Sequence, residues 1–429
     1  MTIHDELLAR HRAVMPDWLG LYYEHPIALV GGAGCWVDDA EGRRYLDFFG
    51  GILTTMIGHN VPEVVEAIRD QAGRILHTST LYLIEPQIEL AERIAARSGI
   101  PDARVFFTTS GTEANEAALL LATSKRRSNQ VLALKGSYHG RSYATMGVTG
   151  NRSWSASGLS PFVVSYVQSG YRYRSPFAGL DDAAFSDVCV ADLRMVLDTT
   201  TSGDVACMIA EPIQGVGGFT IPPDGLLGRF REVLAERGIY FVADEVQSGW
   251  GRTGEHFWGI EAHGFVPDAM TFAKGLGNGV GVAGVVASAE LMAAVGANSI
   301  STFGGNPLAM RAALATLDYV ERHDLQANAK EVGARVKEGI ERIAKAHETI
   351  GEVRGRGLMI GVELVRPGTT DPDPAAASGV LEAARGAGLL IGKGGLYGNV
   401  LRIAPPLTLS AAEADDGVGR LEAAFAGLP

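Results

Sequence analysis

The sequence predicts an α/β protein: a parallel sheet covered by helices on both faces, followed by a smaller α+β unit. Three observations predict it. Short, nearly continuous apolar runs alternate with helix-length amphipathic segments, the pattern of strands buried on both faces. That alternation ends near residue 311, where a long helical stretch begins. With 429 residues, 46% of them apolar and 20% charged, the chain has an ordinary globular composition and can bury a large core.

The elements follow in order. "WVDDAEGRRYLDF" (36–48) reads as a hairpin turning at Ala40–Gly42. Val61–Ile75 has helical periodicity. The strand Arg104–Thr109 leads into a helix over Glu113–Lys125, and Val131–Leu134 and Cys207–Ala210 are the next strands. A helix over Leu226–Arg237 precedes the strands Ile239–Ala243, Met270–Ala273 and Val282–Ala287. Gly279–Ala297 is apolar enough to raise a membrane span. It is built of Gly, Ala and Val with Glu290 inside, so it reads as a buried strand followed by a helix. Beyond it come a helical region (Arg311–Glu348), a strand (Gly357–Glu363), the loop "RPGTTDPDP" and another helix. The strand "VLRIAPPL" (400–407) and a final helix capped by Ser410 and Glu413 end the chain. The N-terminal segment is expected to join this smaller unit.

A net charge of −12 argues against a nucleic-acid or anionic-membrane partner, since no basic surplus exists to neutralise phosphates. Cys35, Cys189 and Cys207 are odd in number, far apart and without metal spacing, which predicts a reducing, cytoplasmic setting. "MTIHDELLARHRAVMPDWLG" is charged throughout and has no apolar signal region. No His/Cys/carboxylate cluster has metal-ligand spacing.

Chemistry is expected beyond the carboxyl ends of the strands. "RVFFTTSGTEANEA" ends a strand in Ser110-Gly111-Thr112 and opens a helix, which is either an ordinary N-cap or a helix start that binds an anion. "VLALKGSYHG" sets Tyr138 and His139 just past another strand, as packed loop residues or as a stacking aromatic with its neighbour. "IYFVADEVQSGWGRTG" drives five apolar residues into Asp244 and Glu245. This is a carboxylate at a dry sheet end, and Val246 and Gln247 after it do not resemble a solvated turn. "TFAKGLGNG" (271–279) delivers Lys274, one of seven lysines, from the next strand. Its glycines follow the lysine, so it is no P-loop, and Gly279, Gly281 and Gly284 precede a strand, so they are no dinucleotide fingerprint. A desolvated amine there is a candidate Schiff-base nucleophile. Anion site, stacking aromatic, carboxylate and lysine together describe the needs of pyridoxal 5′-phosphate.

The motifs "SGTEANEA", "YHGR", "EPIQG", "ADEVQSGWGRTG", "AKGLGNG" and "STFGGNP" stand in an order that resembles the class III pyridoxal-phosphate-dependent aminotransferases, over almost the whole chain. The resemblance implies fold type I. A large cofactor-binding domain (51–310) with a mostly parallel seven-stranded sheet would be followed by a small α+β domain (311–429), with residues 1–50 packing on the latter. It implies that Lys274 condenses with the cofactor, Asp244 pairs with its pyridinium nitrogen, Val246 and Tyr138 cover its two faces, and Gln247 bonds its ring hydroxyl. Ser110, Gly111 and Thr112 would hold the phosphate, helped by Thr302 from the partner of a homodimer, with Glu211 and His139 nearby.

Arg402 matches the family's arginine for a substrate carboxylate. Val216 stands where glutamate-using ω-amine members carry a glutamate that neutralises that arginine, so Arg402 should remain available. Arg141 stands where GABA- and acetylornithine-type members grip a more distant carboxylate, and Tyr82 lies in the loop "TSTLYLIEP" (78–86) that borders the substrate. The pattern is most similar to the branch of alanine–glyoxylate and ω-amino acid aminotransferases. It implies a donor such as alanine, β-alanine or GABA, an oxo-acid acceptor (pyruvate, glyoxylate or 2-oxoglutarate), and ping-pong turnover. Phospholyases and an aminomutase share the fold and form the rival reading. A cofactor-binding regulator is disfavoured by the lack of a basic helix-turn-helix.

Overall fold

A computed structural model describes residues 2–427. A helix, Ile3–Val14, opens it and three short strands follow, β1 (Leu29–Ala33), β2 (Trp36–Asp39) and β3 (Arg44–Asp47). β2 and β3 form the expected hairpin, with Trp36 opposite Leu46. The Asp39 carboxylate accepts from the N–H groups of Glu41 and Arg43 at 2.9 Å each, and Gly42 takes the left-handed turn position at φ 81°.

The main sheet contains β4 (Ala103–Thr108), β5 (Gln130–Leu134), β6 (Val163–Val167), β7 (Val205–Ala210), β8 (Tyr240–Asp244), β9 (Ala269–Phe272) and β10 (Ala283–Ser288). Their spatial order is β4-β10-β9-β8-β7-β5-β6. β10 runs antiparallel to both neighbours and all other pairings are parallel, the mostly parallel seven-stranded sheet expected. Burial explains which strands the sequence declares. All six residues of β7 are buried, whereas β6, "VVSYV", is an edge strand with one buried residue, and it escapes the sequence reading. Gly279–Ala297 resolves into β10 and a short helix (Ala289–Met292), and Glu290 reaches outward to Lys125 at 2.8 Å. Among the described residues no helix is long and apolar enough to cross a membrane.

The expected single helical region over Arg311–Glu348 is two helices, Pro307–Arg322 and Leu325–Ala344. Asp324 separates them in a left-handed conformation, φ 45°, which breaks the hydrogen-bond ladder while leaving the apolar spacing on either side intact. Next come β11 (Ile350–Arg356), unread in the sequence, and β12 (Met359–Leu364), its hairpin partner. After the helix Pro374–Gly386, β13 (Leu389–Leu390) pairs in parallel with β3, so the N-terminal hairpin extends this part of the fold. β14 (Gly392–Gly394) and β15 (Val400–Ile403) complete an antiparallel sheet in the order β11-β12-β15-β14. The final helix, Ala411–Ala426, has the expected Ser410/Glu413 capping box, and Glu413 also accepts from Trp36 Nε1 at 2.9 Å.

For function, one alignment matters most. β7, β8 and β9 run the same way with Ala210 opposite Ala243 and Asp244 opposite Thr271, so Glu211, Asp244 and Lys274 leave the sheet along one edge.

Candidate active site

The strand ends converge on a cavity of about 300 Å³. Ser110, Gly111, Thr112, Tyr138, His139, Glu211, Asp244, Val246, Gln247 and Lys274, expected from sequence, all line it.

Asp244 ends β8 almost fully buried. Its Oδ2 accepts from His139 Nδ1 at 2.7 Å and Asn115 Nδ2 at 2.8 Å, and its Oδ1 from the Val246 N–H at 3.1 Å. A buried carboxylate is tolerable only with such donors around it. Asn115 also gives its second amide hydrogen to the His139 carbonyl and accepts from Thr271 Oγ1 at 2.6 Å, tying three strand ends to one helix. No functional role was read for Asn115 in the sequence. The signal available was its place one turn beyond Gly111 on the helix that opens at the cavity. His139 Nε2 is buried without a partner.

That helix, Gly111–Arg126, is capped by Ser110, whose hydroxyl accepts from the Glu113 N–H at 3.3 Å. Ser110 is therefore the cap. Glu113 bonds back to the Thr109 N–H and hydroxyl at 2.8 and 2.7 Å, which leaves the first-turn donors of Gly111 and Thr112 toward the cavity. A Cβ on Gly111 would stand 3.2 Å from the Val246 methyls, so a larger residue would crowd the wall there.

Lys274 begins a short 3-10 turn in the left-handed region, φ 45°. Gly275 follows because a Cβ there would stand 2.7 Å from Met56 Sδ. Burial pulls the Lys274 amine down to about 8, the nearby Arg402 charge acts the same way, and Asp244 and Glu211 oppose. Burial pushes the Glu211 carboxyl up to about 7, although it accepts from the N–H groups of Tyr138 at 2.9 Å and Gly215 at 2.8 Å.

Four expected residues stand apart from this cavity wall. Arg402 is buried on β15 and donates from Nη2 to Gln247 Oε1 at 2.8 Å, so it abuts the site through Gln247. Arg141 is exposed, with its guanidinium 5.5 Å from the Trp18 ring centre and its backbone N–H on Thr112 Oγ1 at 3.4 Å. Tyr82 and Thr302 are exposed on the surface of the single chain.

A family model, "Aminotransferase class-III", matches residues 22–425. The chain belongs to the class III aminotransferases. It is therefore an enzyme that uses pyridoxal 5′-phosphate to exchange amino groups between amino and oxo acids. An alanine–glyoxylate aminotransferase 2 homologue from Arabidopsis thaliana is 39% identical, with 96% of this chain and 85% of that protein aligned. Among solved structures, an (S)-enantioselective ω-transaminase from Thermomicrobium roseum is 33% identical with a TM-score of 0.91, covering 99% of both chains. A phospholyase from Arthrobacter, solved with phosphoethanolamine, is 32% identical with a TM-score of 0.90, covering 99% of this chain and 100% of that one. The backbone is thus shared by transferase and lyase, and the side chains of the site must separate them.

The residues present fit the cofactor. One cavity holds a helix start for an anion, a fully hydrogen-bonded buried carboxylate and an amine shifted toward neutrality. Asn115→Ala would leave Asp244 and the Thr271 hydroxyl each short of a buried partner. We expect it to lose about 1–3 kcal/mol of stability in chemical denaturation of the cofactor-free protein.

Proposed function

We propose that this aminotransferase takes amino donors and oxo acceptors that always present a carboxylate, read by Arg402. The carrying observation is the state of that arginine: buried, bonded to a neutral amide, with Nε unpartnered. Among the described residues no carboxylate lies within 4 Å of it. A Cβ on Gly394 would stand 2.7 Å from Arg402 Cδ, so glycine leaves room there for the arginine stem. A guanidinium in that condition has donors in a fork suited to a carboxylate. We place alanine, β-alanine or GABA-like ω-amino acids among the donors, with pyruvate, glyoxylate or 2-oxoglutarate as acceptor.

The residue roles follow. Gly111 and Thr112 offer N–H groups, and Ser110 and Thr112 hydroxyls, to the phosphate. Val246 and Tyr138 bound the ring on two sides. Asp244 would pair with the pyridine nitrogen, and His139 and Asn115 hold the Asp244 carboxylate in place. Gln247 spends its carbonyl on Arg402 and keeps its amide hydrogens for the cavity. When bound, pyridoxal phosphate supplies an aldehyde that condenses with amines and a ring that takes up the electron pair left at Cα. Lys274 would hold the cofactor at rest, and its amine, when free, would move the proton at the substrate Cα. Free cysteines that are all buried fit the reducing, cytoplasmic compartment proposed for the protein.

We also place a second copy of the chain against the exposed apolar face formed by Leu81, Tyr82, Leu83 and Phe303, 75%, 69%, 95% and 62% accessible in the single chain. His77 and Phe303 rings lie 5.2 Å apart, so the 75–84 and 300–303 segments form one surface, and it carries Tyr82 and Thr302 toward a partner's site.

Five outcomes test these assignments. Because the amine loses its proton near pH 8, the rate at which pyridoxal phosphate loads the cofactor-free protein should rise with pH and level off above about 8. Borohydride should fix the added mass at Lys274, and Lys274→Ala should take up none; mass spectrometry reads both. A single donor without acceptor should yield one oxo product per active site and no phosphate from phosphoethanolamine. Arg402→Ala should raise KM for every carboxylate about 10–100-fold, the worth of a charged hydrogen-bond pair; phosphate release would move the reaction to elimination, and an unchanged KM would make Arg402 structural. Leu83→Asp with Phe303→Asp should sediment as a monomer and lose activity.

A further inference from the structure

Arg402 lacks a counter-ion, yet it does not lie loose. On β15 it is flanked by Gly361 of β12 and Gly392 of β14, so its stem runs between positions without side chains. Its guanidinium carbon lies 5.1 Å from the centre of the Phe49 ring and 4.7 Å from that of Phe219. Both rings are themselves held. Phe49 stacks on Tyr22 at 5.7 Å with planes 16° apart, and Tyr22 donates to the Lys393 carbonyl at 2.9 Å. A Cβ on Gly392 would stand 2.2 Å from Phe49, so only glycine admits the ring at that place. Phe219 is fully buried in left-handed backbone, φ 54°, a conformation that L side chains avoid and that persists where the surroundings impose it.

We propose that Phe49 and Phe219 determine specificity by holding the Arg402 guanidinium over their ring faces where other proteins would use a carboxylate. Aromatic faces attract a cation without neutralising it, and the attraction grows when water is excluded. The arginine is thereby kept in the site between turnovers with a neutral amide on Nη2 and Nε unpartnered. A substrate carboxylate finds a full positive charge; an apolar substituent finds the same space filled by a cation that has no second place to go. The inference rests on the reading of Arg402 as the carboxylate-binding residue.

The test compares holoenzymes of the wild type, Phe49→Leu, Phe219→Leu, Phe49→Tyr and Arg402→Ala. Each is assayed with the carboxylated donor it turns over best and with 1-phenylethylamine, which has a phenyl group in place of alanine's carboxylate. Propanoate binding is measured by calorimetry. Both leucine variants should raise KM for the carboxylated donor at least tenfold with kcat within threefold, and weaken propanoate at least tenfold. They should also raise the kcat/KM ratio of 1-phenylethylamine to the carboxylated donor at least tenfold. Phe49→Tyr, which keeps the ring, should stay within twofold of the wild type. Phe49→Leu carries the test alone if the strained Phe219 position does not tolerate leucine. If Arg402→Ala raises KM while the leucine variants leave both ratio and propanoate affinity unchanged, the aromatic clamp is wrong and the carboxylate reading stands. If Arg402→Ala leaves KM unchanged, both fall.

Discussion

A charged carboxylate at the dry end of β8 sets the terms for the whole site. Leaving Asp244 unpaired there would cost several kcal/mol, so the surrounding chain must bring donors to it. His139, Asn115 and the Val246 N–H do so from three different segments. The helix that supplies Asn115 must enter at a fixed distance and angle, and its first turn then opens on the same cavity with its donors unused. One requirement, satisfying Asp244, thus also aims the open first turn of the helix at the cavity.

The second consequence concerns protons. Burial at the same sheet edge drives Lys274 and Glu211 toward neutrality as well, to about 8 and about 7. For the lysine, burial is the larger cause and the Arg402 charge adds to it. The left-handed backbone of Lys274 and the close fit of Gly275 on Met56 fix where that amine begins its reach.

The sequence announced the sheet because fully buried strands such as "VACMIA" leave an unbroken apolar run, and it announced the cavity because unusual residues stand at the ends of those runs. Edge strand β6 left no such trace, since "VVSYV" is mostly half-exposed. The break at Asp324 was hidden because a single left-handed residue does not disturb the apolar period. Asn115 was passed over as an ordinary helix residue: its importance lies in contacts with Asp244 and Thr271, 129 and 156 residues away. The Gln247–Arg402 bond spans 155 residues, and neither end indicates the other. Arg141, Tyr82 and Thr302 carry motif positions, but a single chain does not bring them to the cavity wall.

The lone amide partner of Arg402 has an effect on the molecule as a whole. A cation taken from water and given back so little keeps the empty protein above the free energy it would have with its donors filled. Whatever fills them binds the folded chain and not the unfolded one, and by mass action raises the work of unfolding. On the proposed reading of Arg402, the carboxylates of amino and oxo acids are then folding ligands as well as reactants, and stability rises with their concentration.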